Sequence, residues 1–365
     1  MKLIPLAGDY RTQGSSLKRG KWPPGLRQLH GKEPLPSPYP SPKVLIRAQT
    51  MMNEDCKTRL MATIRVLHDK LAALCRNNYK VGRQVCMDEQ LVVFRGHCPF
   101  RVYIPSKPDK YGMKVWACCD VDSAYITNFV LYTGITGRGC EVGQGSRVVL
   151  QMTEHRSGSG RGCTVDNFFT SSDLAHSMLN RQITLCGTVK KNRRFLPPAI
   201  LDVHSRPVQS SKFVFHDDMT LVSYVPKKKK NVVLLSTQHH DAEVHEDRED
   251  KKPEIILHYN RTKGAVDTLD KLLRTYSCQR KCRRWPQVFF GNLVDIAAYN
   301  AFVIFLFCFP EFMERKSYRR RLYLEKLAFE LSAALPALEN RIGRPLNDVA
   351  PAARPFARST SGWSV

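Results

Sequence analysis

The chain has 365 residues, with 57 Lys and Arg against 33 Asp and Glu, and a formal net charge of +24. A hydrophobic share of 42% is enough for a packed core and excludes wholesale disorder or a fibrous repeat. The charge argues against a hub for acidic-protein partners and points to a polyanion: nucleic acid or an anionic membrane surface.

Residues 1–50 hold eight of the 22 prolines and nine basic residues against two acids, which predicts a Pro-rich, basic, disordered arm. A helical lead-in occupies 51–84, with a helix predicted over 55–78 because Leu60, Ile64, Leu67, Leu71 and Leu74 recur at spacings of three and four. Strands are predicted at 85–94, 113–119 and 124–132, the last two forming a meander joined near 120–123. A Gly/Ser-rich loop, 158–162, leads into a short strand, 163–165, that ends at Asp166. Ser171 or Ser172 then caps a helix running through Leu179, and 183–189 reads as another strand.

From 190 to 253 the chain reads as an insertion domain, rich in charge, with β-like stretches at 220–225 and 232–236 and an acid-rich end at 241–250. A long helix is predicted from 262 through 273, with further helices to about 335 and a loose tail over 343–365. In this reading 85–189 is the first part of a core and 254–342 its last part together with C-terminal helices. The apolar run 288–309 is interrupted by Asn292, Asp295 and Asn300, so it predicts a core helix and not a membrane span. Twelve cysteines are too dilute for a disulfide scaffold, and the apolar stretch 3–8 is too short for a signal sequence, so an intracellular, soluble chain is expected.

Cleaving a polyphosphate backbone near neutral pH calls for hard cations held by carboxylates, so isolated acids in apolar or strand-end settings are the candidates. Asp88 lies inside a β-like stretch, either as a ligand or as an exposed strand position facing an Arg. Asp166 ends a short strand, as a ligand or as an Asx-turn. Asp267 and Asp270 share a helix face, as a ligand pair or as first-turn acids favoured by the helix dipole. Asp120 and Asp122, at another strand end, rival Asp88. The stretch His239-His240-Asp241 with His245 adjoins an acidic loop and is set aside as a metal site, as are Cys278 and Cys282, which lack a second pair.

The basic residues are more specific. Between Arg261 and Arg284 eight basic residues accompany two acids, ending in Arg280, Lys281, Arg283 and Arg284 before Trp285, a residue that either stacks on a base or packs into the core. Lys190, Lys191, Arg193 and Arg194 form a second cluster, and Lys263 lies between the two.

Seven segments, in order, resemble the piggyBac family of transposases and their domesticated derivatives: Met87-Asp88-Glu89-Gln90-Leu91 with Phe94-Arg95-Gly96; Cys98-Pro99-Phe100-Arg101; Lys107-Pro108 with Lys110-Tyr111-Gly112; Val165-Asp166-Asn167-Phe168-Phe169-Thr170-Ser171; Gly187-Thr188-Val189; Tyr259-Asn260-Arg261-Thr262-Lys263-Gly264 with Val266-Asp267-Thr268-Leu269-Asp270; and Arg284-Trp285-Pro286. The resemblance covers roughly 55–320. It implies an α/β fold: an RNase H-like mixed sheet with flanking helices, a β-containing insertion domain and a helical C-terminal part.

By motif it makes Asp88, Asp166 and Asp267 the catalytic, metal-holding aspartates with Asp270 in support, and leaves Asp120 and Asp122 outside. It further implies Mg²⁺ or Mn²⁺ without a small-molecule cofactor, and double-stranded DNA as partner, with transposon ends nicked, closed into hairpins and joined at TTAA targets. The Lys and Arg clusters would grip phosphates; a homodimer and nuclear localisation are expected, the latter also from the basic runs 227–230 and 319–321. The family's longer N-terminal region and terminal cysteine-rich zinc module find no matching motif, no cysteine following Cys308. A domesticated DNA-binding or chromatin-associated protein that keeps the fold without transposing is the alternative expectation.

Overall fold

The computed structural model describes residues 61–134 and 141–342, all within one unit, Met51–Val365. The arm at 1–50, the start of the lead-in and the tail at 343–365 lie outside the described residues. Helix α1 (Arg65–Asn77) is followed by β1 (Gln84–Val93), β2 (Val102–Tyr103), β3 (Tyr111–Asp120) and β4 (Ile126–Leu131). Then come α2 (Gln144–Thr153), β5 (Gly162–Val165), α3 (Ser172–Leu179), β6 (Thr184–Thr188) and the single turn α4 (Pro198–Leu201). Three strands follow, β7 (Ser211–His216), β8 (Met219–Lys227) and β9 (Lys230–Ser236), and four helices close the series: α5 (Glu254–Thr262), α6 (Ala265–Thr275), α7 (Trp285–Cys308) and α8 (Arg319–Ile342).

All nine strands join one mixed sheet in the order β2-β3-β1-β5-β6-β9-β8-β7, with β4 also on β3. Strand β1 pairs antiparallel with β3 and parallel with β5, and β5 pairs parallel with β6. This is the RNase H-like arrangement. Strands β9, β8 and β7, from the segment 190–253, continue the sheet antiparallel beyond β6. Each face of the sheet is covered. Cys86, Val115, Ala117 and Cys119 pack with α6 and α7, while Val85, Met87, Trp116 and Cys118 pack with α2 and α3. A central strand covered on both sides reads as a continuous apolar run, and β1 departs from that at Asp88 and Glu89, both part-exposed.

Several local expectations are corrected. The buried face of α1 is Ile64, His68, Ala72 and Cys75, while Leu67 and Leu74 are exposed. Small residues at 72 and 75 let the helix approach the sheet closely, which the leucine stripe could not. The helix expected from 262 starts instead at Ala265, and Thr262 ends a separate helix, α5, that the sequence pattern does not predict. Helix α2 and strand β7 form where the sequence pattern predicts no element. Ser171 is the cap of α3, its Oγ accepting from the Leu174 amide at 3.1 Å. Helix α7 is long and apolar enough to cross a membrane by composition, yet its polar residues are bonded inside the protein. Asn300 accepts from the Ile126 amide and donates to the Ile126 carbonyl, and Asp295 accepts from the Cys278 amide. Ten cysteines among the described residues are free.

Candidate active site

Strand β5 pairs with β1 only as far as Val165 opposite Met87. Asp166 is the next residue, so it lies beside Asp88 where the parallel pairing ends and β1 runs on against β3 alone. Ligands of parallel sheets bind at such carboxyl ends. The turn is held firmly: Asp166 Oδ1 accepts from the Phe168 amide at 2.8 Å, and its carbonyl accepts from Thr170 Oγ1 at 2.8 Å. Gly187 on β6 lies against this turn so closely that a Cβ would collide with Thr170 Oγ1 and stand 2.8 Å from the Val165 carbonyl.

Carboxylate oxygens of Asp88, Asp166 and Glu89 lie within 4.8 Å of one another. Sequence reasoning misses Glu89 as a site residue. Strand alternation points it away from Asp88, and only the bare edge left by the end of β5 lets both reach Asp166. Asp270, on α6, is part-buried and is hydrogen-bonded by Gln90 of β1. Asp267, one turn earlier, is exposed and accepts from Lys107 Nζ at 3.0 Å. The geometry therefore draws Asp88 and Asp166 into one cluster with Glu89, while Asp267 and Asp270 stand across from it on the helix. Asp120 is occupied structurally, accepting from the Gly82 and Ser123 amides.

The charged forms of these groups are disfavoured. Burial, then the neighbouring Glu89, pushes Asp88 up to about 8. Burial raises Asp270 to about 6 against the pull of Lys107 and Arg274, and burial raises Asp166 against hydrogen bonding from the Phe168 amide. Burial alone would lower Lys107, but its hydrogen bond to Asp267 and the charges of Asp267, Asp88 and Asp270 outweigh this and hold it high. Three aspartates thus converge on one ammonium. An all-oxygen donor set that is short of positive charge fits a hard divalent cation such as Mg²⁺ or Mn²⁺.

Basic residues surround the acids. Lys190, directly beyond β6, opposes the upward shift of Asp166 and sits 5.8 Å from the Phe168 ring. Lys191 and Arg194 are exposed on the same turn, and Arg193 buries an unpaired Nε. The Lys263 carbonyl accepts from Cys86 Sγ, and its ammonium lies 5.5 Å over Tyr259. Arg280, Lys281, Arg283 and Arg284 are exposed on the loop between α6 and α7. Trp285 packs against Phe100 at 4.8 Å, which decides for the core over base stacking. A pocket lined by Arg95, Arg101, Pro108, Lys110 and Tyr111 adds basic groups that composition alone does not single out. It adjoins the same loop, because Gly96 lies against the Arg283 carbonyl.

Comparison with known proteins bears on the family and the fold. The family model described as Transposase IS4 matches residues 47–302. The human PiggyBac transposable element-derived protein 3 is 24% identical over 250 residues, covering 63% of this chain and 42% of that protein. The human Chimeric ERCC6-PGBD3 protein has the same identity and is covered over 24% of its own length. The chain thus spans less than half the length of these curated relatives. A cryo-EM structure of the piggyBac transposase synaptic complex with hairpin DNA superimposes with a TM-score of 0.70 and 33% identity over 88% of this chain and 69% of that one. The chain belongs to the transposase IS4 family and, within it, is a piggyBac-family member.

Proposed function

We propose that the chain cleaves and joins double-stranded DNA by divalent-metal-dependent phosphoryl transfer: nicking at transposon ends, hairpin formation and joining at TTAA targets. The observation that carries this reading is the meeting of Asp88, Asp166 and Glu89 within 4.8 Å at the end of the β1–β5 pairing, with Asp270 and Asp267 across from them. Asp88, Asp166, Asp267 and Asp270 would hold the Mg²⁺ or Mn²⁺. A cation bound there supplies charge that activates an attacking oxygen and stabilises a leaving one.

The protein's own groups prepare this. Burial and the neighbouring Glu89 disfavour the charged form of Asp88 until positive charge enters the site. Lys107, from the β2–β3 side, supplies the positive charge that pairs with Asp267 before a cation enters. Lys190, Lys191, Arg193 and Arg194 on one flank, and Lys263, Arg280, Lys281, Arg283 and Arg284 on the other, would seat the phosphates. The likeness to a synaptic complex supports DNA as partner and a second copy of the chain in a homodimer, and the basic runs support a nuclear location.

The test is an Mg²⁺- and Mn²⁺-dependent nicking and hairpin assay on duplex ends flanked by TTAA, with Asp88→Asn and Asp166→Asn as controls. Metal-dependent product that both substitutions abolish is expected. Retained DNA binding without product in the unaltered chain would overturn the enzymatic reading and favour a domesticated, chromatin-associated DNA-binding protein.

A further inference from the structure

A second group of ligating atoms lies outside the acidic site. His239, three residues past β9, and Glu254 and His258, on α5, place one nitrogen or carboxylate oxygen each within 4.8 Å of one another. His258 is buried with 7% exposure, and its Nε2 has no hydrogen-bond partner. A sealed, unpaired ring nitrogen is costly, and such groups in a folded protein call for a water or an ion. The two rings lie 4.9 Å apart at 70°, edge to face.

The surroundings have the form of an outer shell. Ser236 Oγ sits 2.7 Å from His239 Nδ1, a contact that fixes the orientation of that ring. Glu254 is oriented by His245 Nε2 at 2.9 Å and by Arg261 Nη2 at 2.5 Å, and each of its oxygens keeps a second lone pair. Metal-bound imidazoles and carboxylates are oriented in this way by hydroxyl and charged partners.

We propose that His239, His258 and Glu254 form a second metal site, selective for Zn²⁺-class ions, that pins the end of β9 to α5. Two imidazoles and one carboxylate suit zinc better than magnesium, which prefers all-oxygen coordination. Bonds of about 2.1 Å place tetrahedral ligands about 3.4 Å apart, inside the 4.8 Å within which the three atoms lie. The site steadies the helix pair that carries the acids: α5 is joined to β5 by Thr262 Oγ1 and Thr164 Oγ1 at 2.8 Å, and it leads directly into Asp267 and Asp270. It shares no residue with the acidic cluster and stands whether or not the chain cleaves DNA.

The experiment strips metal from the full chain, then titrates Zn²⁺ and, as a spectroscopic probe, Co²⁺. One Zn²⁺ per chain, a rise in melting temperature on its addition, and Co²⁺ visible bands without thiolate charge transfer are expected. The Asp88→Asn/Asp166→Asn variant should keep this ion, and His258→Gln and His239→Gln should lose it. Because His258 is buried and its variant can fail to fold, the half-buried His239 carries the decision. Unchanged Zn²⁺ binding in His239→Gln, or thiolate bands that assign the ion to cysteines, would overturn the proposal, as would the absence of any thermal shift at saturating Zn²⁺.

Discussion

Lys107 Nζ donates a 3.0 Å hydrogen bond to Asp267 Oδ1, joining the loop before β3 to a helix 160 positions further along the chain. The ammonium faces Asp88 and Asp270 as well, so it occupies charge space that a divalent cation would claim. Lys107→Gln should therefore tighten Mn²⁺ binding in the absence of DNA by about two- to five-fold, the range of a partly exposed ion pair. Isothermal titration with Mn²⁺ measures this, and a weaker affinity in the variant would mean that Lys107 orders the acids instead of competing for them.

Gly187 illustrates how packing reaches the site. A Cβ there would collide with Thr170 Oγ1 and lie 2.8 Å from the Val165 carbonyl, and Thr170 holds the Asp166 carbonyl. Gly187→Ala should cost ~1–3 kcal/mol by overpacking and displace Asp166. Chemical denaturation gives the first quantity; a midpoint equal to that of the unaltered chain would show that β5 and β6 can separate freely.

The strands bearing Asp88 and Asp166 are legible from their apolar and β-branched residues, and each aspartate stands where the pattern places it, in its strand or at its end. Glu89 is not legible, since its role depends on where β5 stops pairing, a long-range fact with no local pattern. His258 hides in the same way: it stands alone in the sequence until the chain beyond β9 brings His239 to it. The start of α6 at Ala265 is signalled by Gly264, which stands at its N-cap. Helix α2 escapes because its glycine and paired valines carry weak helix propensity, and packing decides its form.

The basic loop after α6 is held from below by a buried acid. Asp295, with 4% exposure, accepts from Ser277 Oγ at 2.6 Å and from the Cys278 amide at 2.8 Å. Charge and order can thus be removed separately. Neutralising Arg280, Lys281, Arg283 and Arg284 to Gln should flatten the salt dependence of duplex binding, by about 0.9 in log–log slope for each phosphate that is no longer neutralised. Asp295→Ala should instead cost ~1–3 kcal/mol of stability, because it strands buried donors, while the slope stays the same. Binding isotherms across a salt series separate the two, and an unchanged slope in the charge variant would put the DNA elsewhere.

His68 sets an acid limit on the fold. It is 6% exposed, packs edge-on to Phe129 at 5.0 Å, and buries an Nε2 that has no partner. Burial lowers its affinity for a proton below the ordinary value of 6.5, although Asp69 pulls the other way. A folded value below the unfolded one means the unfolded chain takes up the proton first. The stabilisation is therefore complete above pH 6.5 and is lost as the pH falls from there through the folded value. One such group contributes a slope of at most ~1.4 kcal/mol per pH unit. Other buried histidines titrate in the same direction, so the comparison that isolates this one is His68→Phe, which keeps the aromatic packing. Urea midpoints between pH 7 and 5 should fall less steeply in His68→Phe than in the unaltered chain; parallel curves would mean that His68 titrates normally in the folded state.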